Sequence, residues 1–171
     1  FMLSNIKSLF IIIFICLPNV HCMASKDIPN TIYAKVVKVV DGDTIHISHK
    51  KYGLLKIRLA EIDAPEKDQP YGKEATARLS KILSNKTIRL NKITVDRYNR
   101  IVGIVYYETI EINHYLVING LAWCYDYYNK REKIKDAEIY ARKKEIGIWS
   151  DKNNEAIPPW EWRKNKRLKN G

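Results

Sequence analysis

Cysteine is scarce in this chain of 171 residues, which contains three. Two of them, Cys16 and Cys22, lie within the first two dozen residues, and the third is Cys124. If the N-terminal segment is removed on maturation, Cys124 is the one cysteine that remains and an internal disulfide is excluded. We therefore expect the mature domain to be stabilised by its apolar core, without cross-links.

The N-terminal segment also lacks acidic residues and a long apolar run. No acid precedes Asp27, and the apolar run over residues 9–17 is shorter than the roughly 18 residues that a membrane-spanning helix needs. Lys7 precedes this run and polar residues follow it. Charged, apolar and polar zones in that order predict a signal peptide.

The division of the chain follows from this pattern. Cleavage after Cys22 would make residues 1–22 a signal peptide that directs the protein to the periplasm or the exterior. A lipid anchor on Cys22 is disfavoured, because His21 and Asn19 stand where small and aliphatic residues are expected. We expect no stable membrane insertion. The other divisions are a polar entry segment at 23–30, one folded domain at 31–150 and a basic, aromatic tail at 151–171.

Basic residues are in excess, since the formal net charge is +11. A field of that sign concentrates polyanions such as nucleic acid or anionic lipid at the surface. Charge alone fits a solubilising surface equally well. The same two interpretations apply to the tail, where residues 163–169 contain no acid: it is either a mobile electrostatic arm or a disordered solubilising end.

Alternating apolar residues predict strands, and a 3.6-residue period predicts helices. Asp41-Gly42-Asp43 separates the first two strands and predicts a hairpin with positive φ at its centre. The order of strands and helices predicts an α+β, mainly β, protein: a five-stranded Greek-key barrel of the OB type with about three packed helices. We expect a monomer. The predicted strands are 32–40, 44–48, 54–62, 88–95 and 101–107, and the helices are 71–83, 113–118 and 133–145.

Two aspartates are candidate metal ligands. Asp43 follows the first turn and Asp63 lies at a strand end, so two carboxylates from different strands could supply oxygens to a hard divalent cation such as Ca²⁺. Asp43 is equally compatible with a role as a turn residue. Zinc is disfavoured because the three histidines that follow the predicted signal peptide are scattered without the spacing of zinc ligands. They are His46, His49 and His114.

Two arginines and a glutamate are candidates for chemistry at phosphate. Arg58 lies among apolar residues, where a guanidinium needs an anionic partner, and Arg100 closes a polar turn. Two arginines that reach one phosphate would stabilise the charge of phosphoryl transfer. Glu66 could orient or deprotonate a water. Each also has a purely structural interpretation, and Arg58 could simply pair with Glu61.

The spacing of Arg58 and Asp63 sets a geometric condition. They are five positions apart, so a regular strand would direct their side chains to opposite faces of the sheet. A shared site therefore requires a bulge or a strand end near Glu61. An unbroken strand through this region would exclude the shared site.

Several short motifs occur along the chain in one order, at residues 39–44, 57–66, 71–75, 96–100, 119–122 and 147–150. Together they span most of the chain after the predicted signal peptide. In this order they resemble the motifs of the staphylococcal nuclease (thermonuclease) family. The resemblance implies a calcium-dependent phosphodiesterase on an OB-fold barrel that cuts DNA and RNA and leaves 3′-phosphates.

The resemblance also implies roles, residue by residue. The calcium ligands would be Asp43, Asp63 and the main-chain carbonyl of Ala64, where the best-known member has threonine. The phosphate-binding arginines would be Arg58 and Arg100. The remaining roles are orientation or activation of water by Glu66 and contact with the nucleotide by Tyr98 and Tyr125.

The sequence supports two classes of function. An exported, calcium-dependent nuclease explains the full set of paired acids, arginines and glutamate. A non-catalytic OB-fold module that binds single-stranded nucleic acid explains the basic surface and the aromatic residues, but it needs no paired acids facing a phosphate. A basic surface adhesin would use only the charge. The complete set of site residues favours the nuclease.

Overall fold

The computed structural model describes residues 28–125, 131–150 and 156–170. The predicted signal peptide and most of the polar entry segment lie outside these ranges. Among the residues that are described, no helix has both the length and the apolar character to cross a membrane.

Five strands form a closed barrel. They are β1 Thr31–Val39, β2 Thr44–His49, β3 Gly53–Leu59, β5 Thr87–Val95 and β6 Ile101–Tyr107. Antiparallel pairing joins them in the order β3-β2-β1-β5-β6, and parallel pairing of β3 with β6, with Ile57 opposite Ile101, closes the barrel. This arrangement confirms the predicted OB-type barrel. The strands begin and end close to the predicted positions, except that β3 ends at Leu59 and does not continue to residue 62.

Three strands of two residues each supplement the barrel. β4 Ile62–Asp63 pairs with β8 Trp123–Cys124, and β7 Ile110–Glu111 pairs with the end of β6. The helices are α1 Gly72–Leu83, α2 Ile112–Ile118, α3 Glu132–Lys143 and α4 Pro159–Asn170, with a single 3₁₀ turn at Gly147–Trp149. The first three confirm the predicted helices, whereas α4 was not predicted.

The apolar periodicity of the sequence lines the core. In β1 the alternate residues Ile32, Ala34 and Val36 are buried, as period two requires. In α1 the buried residues Ala75 and Leu79 lie one helical turn apart on the face that covers the barrel. The core therefore lies inside the barrel and between the barrel and α1.

The turn between β1 and β2 differs from the prediction. Neither Asp41 nor Gly42 has a positive φ, so the expected reason for the glycine is wrong. Instead, a Cβ at Gly42 would lie 2.6 Å from the Cβ of Ala64 and 3.0 Å from the Cβ of Ala75. Close approach is what requires glycine here, and this approach brings Asp43 next to Ala64.

The predicted break near Glu61 is confirmed. Glu61 has a φ of 66°, which ends β3 and allows the chain to resume as β4. The carboxylate of Glu61 is buried and accepts hydrogen bonds from the guanidinium of Arg131, which also pairs with Glu111. The buried side chain of Asn113 supports the break from the other side, donating to the carbonyl oxygen of Ala60 at 2.8 Å.

The basic tail was expected to be mobile or disordered. Between residues 159 and 170 it instead forms α4, which packs against the loop that follows β4. Lys166 Nζ lies 2.6 Å from Asp68 Oδ2, and Gln69 Nε2 donates to the carbonyl oxygen of Ile157 at 2.6 Å. The ring of Trp160 lies 5.6 Å from that of Tyr125. Acidic residues of the loop after β4 thus form ion pairs with basic residues of the tail.

Candidate active site

One cleft at the rim of the barrel is lined by every residue that the sequence assigned to the site. Its volume of about 760 Å³ falls within the roughly 300–1,000 Å³ of typical ligand sites. Different elements contribute the residues, so the barrel determines their relative placement. Those assigned are Asp43, Arg58, Asp63, Ala64, Glu66, Tyr98, Arg100 and Tyr125.

Arg58 joins the two aspartates at the centre of the cleft. Its Nη2 atom lies 2.9 Å from Asp63 Oδ1, and its Nη1 atom lies 3.2 Å from Asp43 Oδ2. The alternative pairing of Arg58 with Glu61 does not occur, because Glu61 is taken by Arg131. The break in the strand has therefore brought Arg58 and Asp63 together, as the shared site requires.

Main-chain and side-chain donors hold Asp43 in place. Its Oδ2 atom accepts a hydrogen bond of 2.7 Å from the main-chain N–H of Ala64, and its Oδ1 atom accepts one of 3.1 Å from the hydroxyl of Thr44. Asp43 thus belongs to the cleft as well as to the turn. The main-chain N–H of Ala64 helps to position Asp43. Binding of calcium by the main-chain carbonyl of Ala64 stays a prediction.

The two aspartates lie in an environment that disfavours their negative charge. Asp43 is 6% exposed and Asp63 is 2% exposed. Burial raises the pKa of Asp43 above its usual value, although the nearby Arg58 opposes the rise. Burial likewise raises the pKa of Asp63, against a hydrogen bond from Arg163. A further positive charge at this pair would stabilise both carboxylates.

The donor set of this pair fits a hard divalent cation. Ca²⁺ prefers oxygen ligands and takes about six to eight of them in flexible geometry, from carboxylates, carbonyls and water. No group of three or more histidine, cysteine, aspartate and glutamate side chains in the described ranges is arranged to hold a metal. Beyond Asp43 and Asp63, main-chain oxygens and water would therefore have to complete the coordination.

Glu66 and Arg163 extend the cluster of charges. Arg163 Nη1 lies 2.7 Å from Glu66 Oε1, and Arg163 Nη2 lies 2.7 Å from Asp63 Oδ2. Glu66 is thereby held beside the aspartate pair. Arg163 was not predicted as a site residue, because the sequence predicts a tail that is mobile or disordered. The aromatic segment 158–162 just before Arg163 was the available signal, since such residues usually pack.

Arg100 lines the same cleft without touching the aspartate pair. Its Nε atom donates to Asp96 Oδ2 at 2.8 Å, which holds the guanidinium at the turn between β5 and β6. Tyr98, on the same turn, is 62% exposed, and its hydroxyl accepts a hydrogen bond of 2.8 Å from Arg97. This turn therefore presents an open aromatic ring beside two guanidiniums.

Tyr125 is the last in sequence of the predicted site residues. Its main-chain N–H donates to the carbonyl oxygen of Glu61 at 2.9 Å, which ties the residue to the strand break. Its ring packs against Trp160 of α4. Tyr125 lines the cleft, and its contact with a nucleotide stays a prediction.

The chain was compared with known proteins. Residues 56–151 match the family model described as staphylococcal nuclease homologue. The chain belongs to this family. The matched range of this staphylococcal nuclease homologue includes Arg58, Asp63, Glu66 and Arg100, whereas Asp43 lies before it and Arg163 after it. The cleft therefore extends beyond the range that the family model covers.

Three relatives of this staphylococcal nuclease homologue carry nuclease names. A protein of Haemophilus influenzae described as an uncharacterized endonuclease is 40% identical over 134 residues, which cover 78% of this chain and 74% of that protein. An uncharacterized endonuclease of Escherichia coli is 38% identical, covering 79% and 87%. The micrococcal nuclease of Shigella flexneri is 37% identical, covering 76% and 79%.

Proposed function

We propose that this protein is an exported nuclease that uses Ca²⁺ to hydrolyse phosphodiester bonds of DNA and RNA and leaves 3′-phosphate ends. Membership of a nuclease family supports the reaction class. One observation carries the proposal for this site: Arg58 bridges two buried aspartates in the same cleft as Glu66 and Arg100.

The arginines would bind the scissile phosphate. A guanidinium offers two parallel N–H donors to phosphate oxygens, and both Arg58 and Arg100 line the cleft. As charge builds on these oxygens, fixed positive groups in a cleft stabilise the transition state more than the ground state. Asp43, Asp63 and the main chain at Ala64 would hold the cation. When bound, Ca²⁺ supplies further positive charge to polarise the phosphate.

Glu66 would act on the water that attacks phosphorus. It orients the water or accepts its proton as the new bond to phosphorus forms. The bond from phosphorus to the 5′ oxygen breaks, and that oxygen takes a proton from solvent water and leaves as a 5′ hydroxyl. The phosphate stays on the 3′ side. Glu66 suits this role because its carboxylate is partly exposed beside the buried pair.

Export is part of the proposal. The charged, apolar and polar zones of residues 1–22 support a signal peptide. A site with only two carboxylates binds calcium weakly and would fill at the millimolar levels found outside cells, in the range of about 10⁻⁴–10⁻³ M that extracellular modules use. Export would also keep an unspecific nuclease away from the nucleic acid of its own cell.

A non-catalytic module that binds single-stranded nucleic acid is the second candidate. The exposed ring of Tyr98, next to Arg97 and Arg100, offers a platform on which a base could stack. This surface would serve binding with or without hydrolysis. The buried pair of Asp43 and Asp63 has no use in such a module, and this is what favours the nuclease.

A cleavage assay with and without calcium separates the two candidates. We expect the purified protein to cut labelled single-stranded DNA and RNA when Ca²⁺ is present. Excess EGTA should abolish cleavage, and added Ca²⁺ should restore it, because the aspartate pair would lose and regain its cation. Mass spectrometry of the products should show 3′-phosphate ends.

Each other outcome of this assay has a distinct meaning. Binding of both substrates without cleavage would favour the non-catalytic module. Full cleavage in excess EGTA would remove calcium from the mechanism but leave the nuclease. Products with 3′ hydroxyl ends would contradict the proposed direction of attack.

A further inference from the structure

Arg163 connects the C-terminal helix to the site. Its two shortest contacts are to different acids: Nη1 lies 2.7 Å from Glu66 Oε1, and Nη2 lies 2.7 Å from Asp63 Oδ2. A third contact of 3.3 Å joins Nη1 to Asp63 Oδ1. Because the guanidinium is a rigid planar fork, these contacts fix where one carboxylate lies relative to the other.

Glu66 has little else to hold its carboxylate. It follows Pro65 in a loop, and its side chain is 38% exposed. Within the described part of the chain, Arg163 provides the one ion pair that Glu66 makes. The hydrogen bond from its main-chain N–H to Gln69 Oε1 orders the loop but leaves the side-chain torsions free. An unrestrained glutamate would sample several rotamers.

Such freedom matters for a residue that must face a water. A base has to lie within hydrogen-bond reach of the proton it takes. A misplacement of about 1 Å can lower a rate roughly 100-fold. A guanidinium anchored on Asp63, which is 2% exposed and therefore rigidly placed, would limit that freedom.

We propose that Arg163 is a positioning residue of the nuclease site, which holds the carboxylate of Glu66 beside Asp63 in the orientation that acts on water. This inference rests on the function proposed above. It makes α4 part of the active site, although α4 lies outside the range matched by the family model.

The helix has other attachments, which allow the role of Arg163 to be tested separately from the docking of α4. Lys166, on the same helix, pairs with Asp68 outside the cleft lining. Trp160 packs on Tyr125, and the carbonyl of Ile157 accepts a hydrogen bond from Gln69. Loss of Arg163 alone should therefore leave the helix docked. Lys166→Gln removes an ion pair between the same helix and the same loop, so it controls for weaker docking of α4.

The test is a double-mutant cycle between Arg163 and Glu66 on the full chain. The variants are Arg163→Gln, Arg163→Lys, Lys166→Gln, Glu66→Gln and the double variant Arg163→Gln with Glu66→Gln. We would measure kcat and KM for single-stranded DNA with Ca²⁺, and thermal melting to check that each variant is folded.

We expect Arg163→Gln to lower kcat by about 10- to 100-fold with KM changed by no more than about 2-fold, because the loss is one of orientation. Arg163→Lys should recover part of kcat, and Lys166→Gln should resemble the wild type. In the Glu66→Gln background, Arg163→Gln should cost less than about 2-fold, because residues that act as a unit are not additive.

Three results would overturn the proposal. The first is wild-type kcat in Arg163→Gln, and the second is an equal loss of kcat with Glu66 intact and with Glu66→Gln. The third is a gain in kcat together with tighter Ca²⁺ binding by calorimetry, which would show that Arg163 competes with the cation and inhibits the site. If the wild type itself fails to cleave, the proposed function fails along with this inference, and that result is distinct from the other three.

Discussion

Replacing Arg58 or Arg100 with alanine is expected to lower turnover of nucleic acid by on the order of 10³ or more, the scale on which arginines stabilise phosphoryl transfer. The two losses should differ in origin. Arg58 also bridges Asp43 and Asp63, so its removal leaves two buried carboxylates with less compensating charge. Of the aspartates in the cleft, Arg100 pairs with Asp96 and not with Asp43 or Asp63. Loss of Arg100 should therefore mainly weaken the binding of phosphate.

Single-turnover cleavage of labelled single-stranded DNA measures these losses. Arg78→Ala is a suitable control, because Arg78 is exposed on α1 and its replacement lowers the net charge by the same amount. Arg58→Lys keeps the charge but loses the two parallel donors, so its turnover should stay far below that of the wild type. Wild-type turnover in both alanine variants would show that the phosphate is bound elsewhere.

Glu66→Gln is expected to lower kcat by roughly 10²- to 10⁴-fold, the usual range for an acid–base residue. The amide has nearly the shape of the carboxylate, and its oxygen can still accept a hydrogen bond from Arg163. The fold and the docking of α4 should therefore persist, and the loss should reflect the water. Melting temperature and kcat of the same preparation check this.

The matched control for this substitution is Glu132→Gln, which removes an exposed carboxylate from the first turn of α3. It should leave kcat unchanged. A Glu66→Gln variant whose kcat lies within a few-fold of the wild type would rule out Glu66 as the base that takes the proton of the attacking water.

Local pattern predicted most of the barrel. β5 and β6 begin and end within one residue of the predicted strands, because alternation of apolar residues directly reflects one buried face. The break near Glu61 was predicted because Arg58 and Asp63 are five positions apart and can share a site only if the strand is interrupted between them. The means of stabilising that break could not be predicted, since the partner of Glu61 is Arg131, 70 positions away.

Contacts between distant parts of the chain account for what the sequence analysis missed. Arg163 meets Asp63 across 100 positions, and no local pattern relates the two. Residues 163–169 contain no acid, so the sequence predicts an unpaired basic arm or a solubilising end, whereas the partners of Arg163 and Lys166 lie in the loop after β4. The role of Gly42 was missed for the same reason, because the atoms that exclude a Cβ belong to Ala64 and Ala75.

The most direct test of a single phosphodiesterase site is a crystal structure with Ca²⁺ and a short single-stranded oligonucleotide whose phosphates resist cleavage. The site described here predicts a cation bound by Asp43 and Asp63, with one phosphate contacted by Arg58 and Arg100. A phosphate bound elsewhere on the basic surface, with no cation at the aspartate pair, would contradict it.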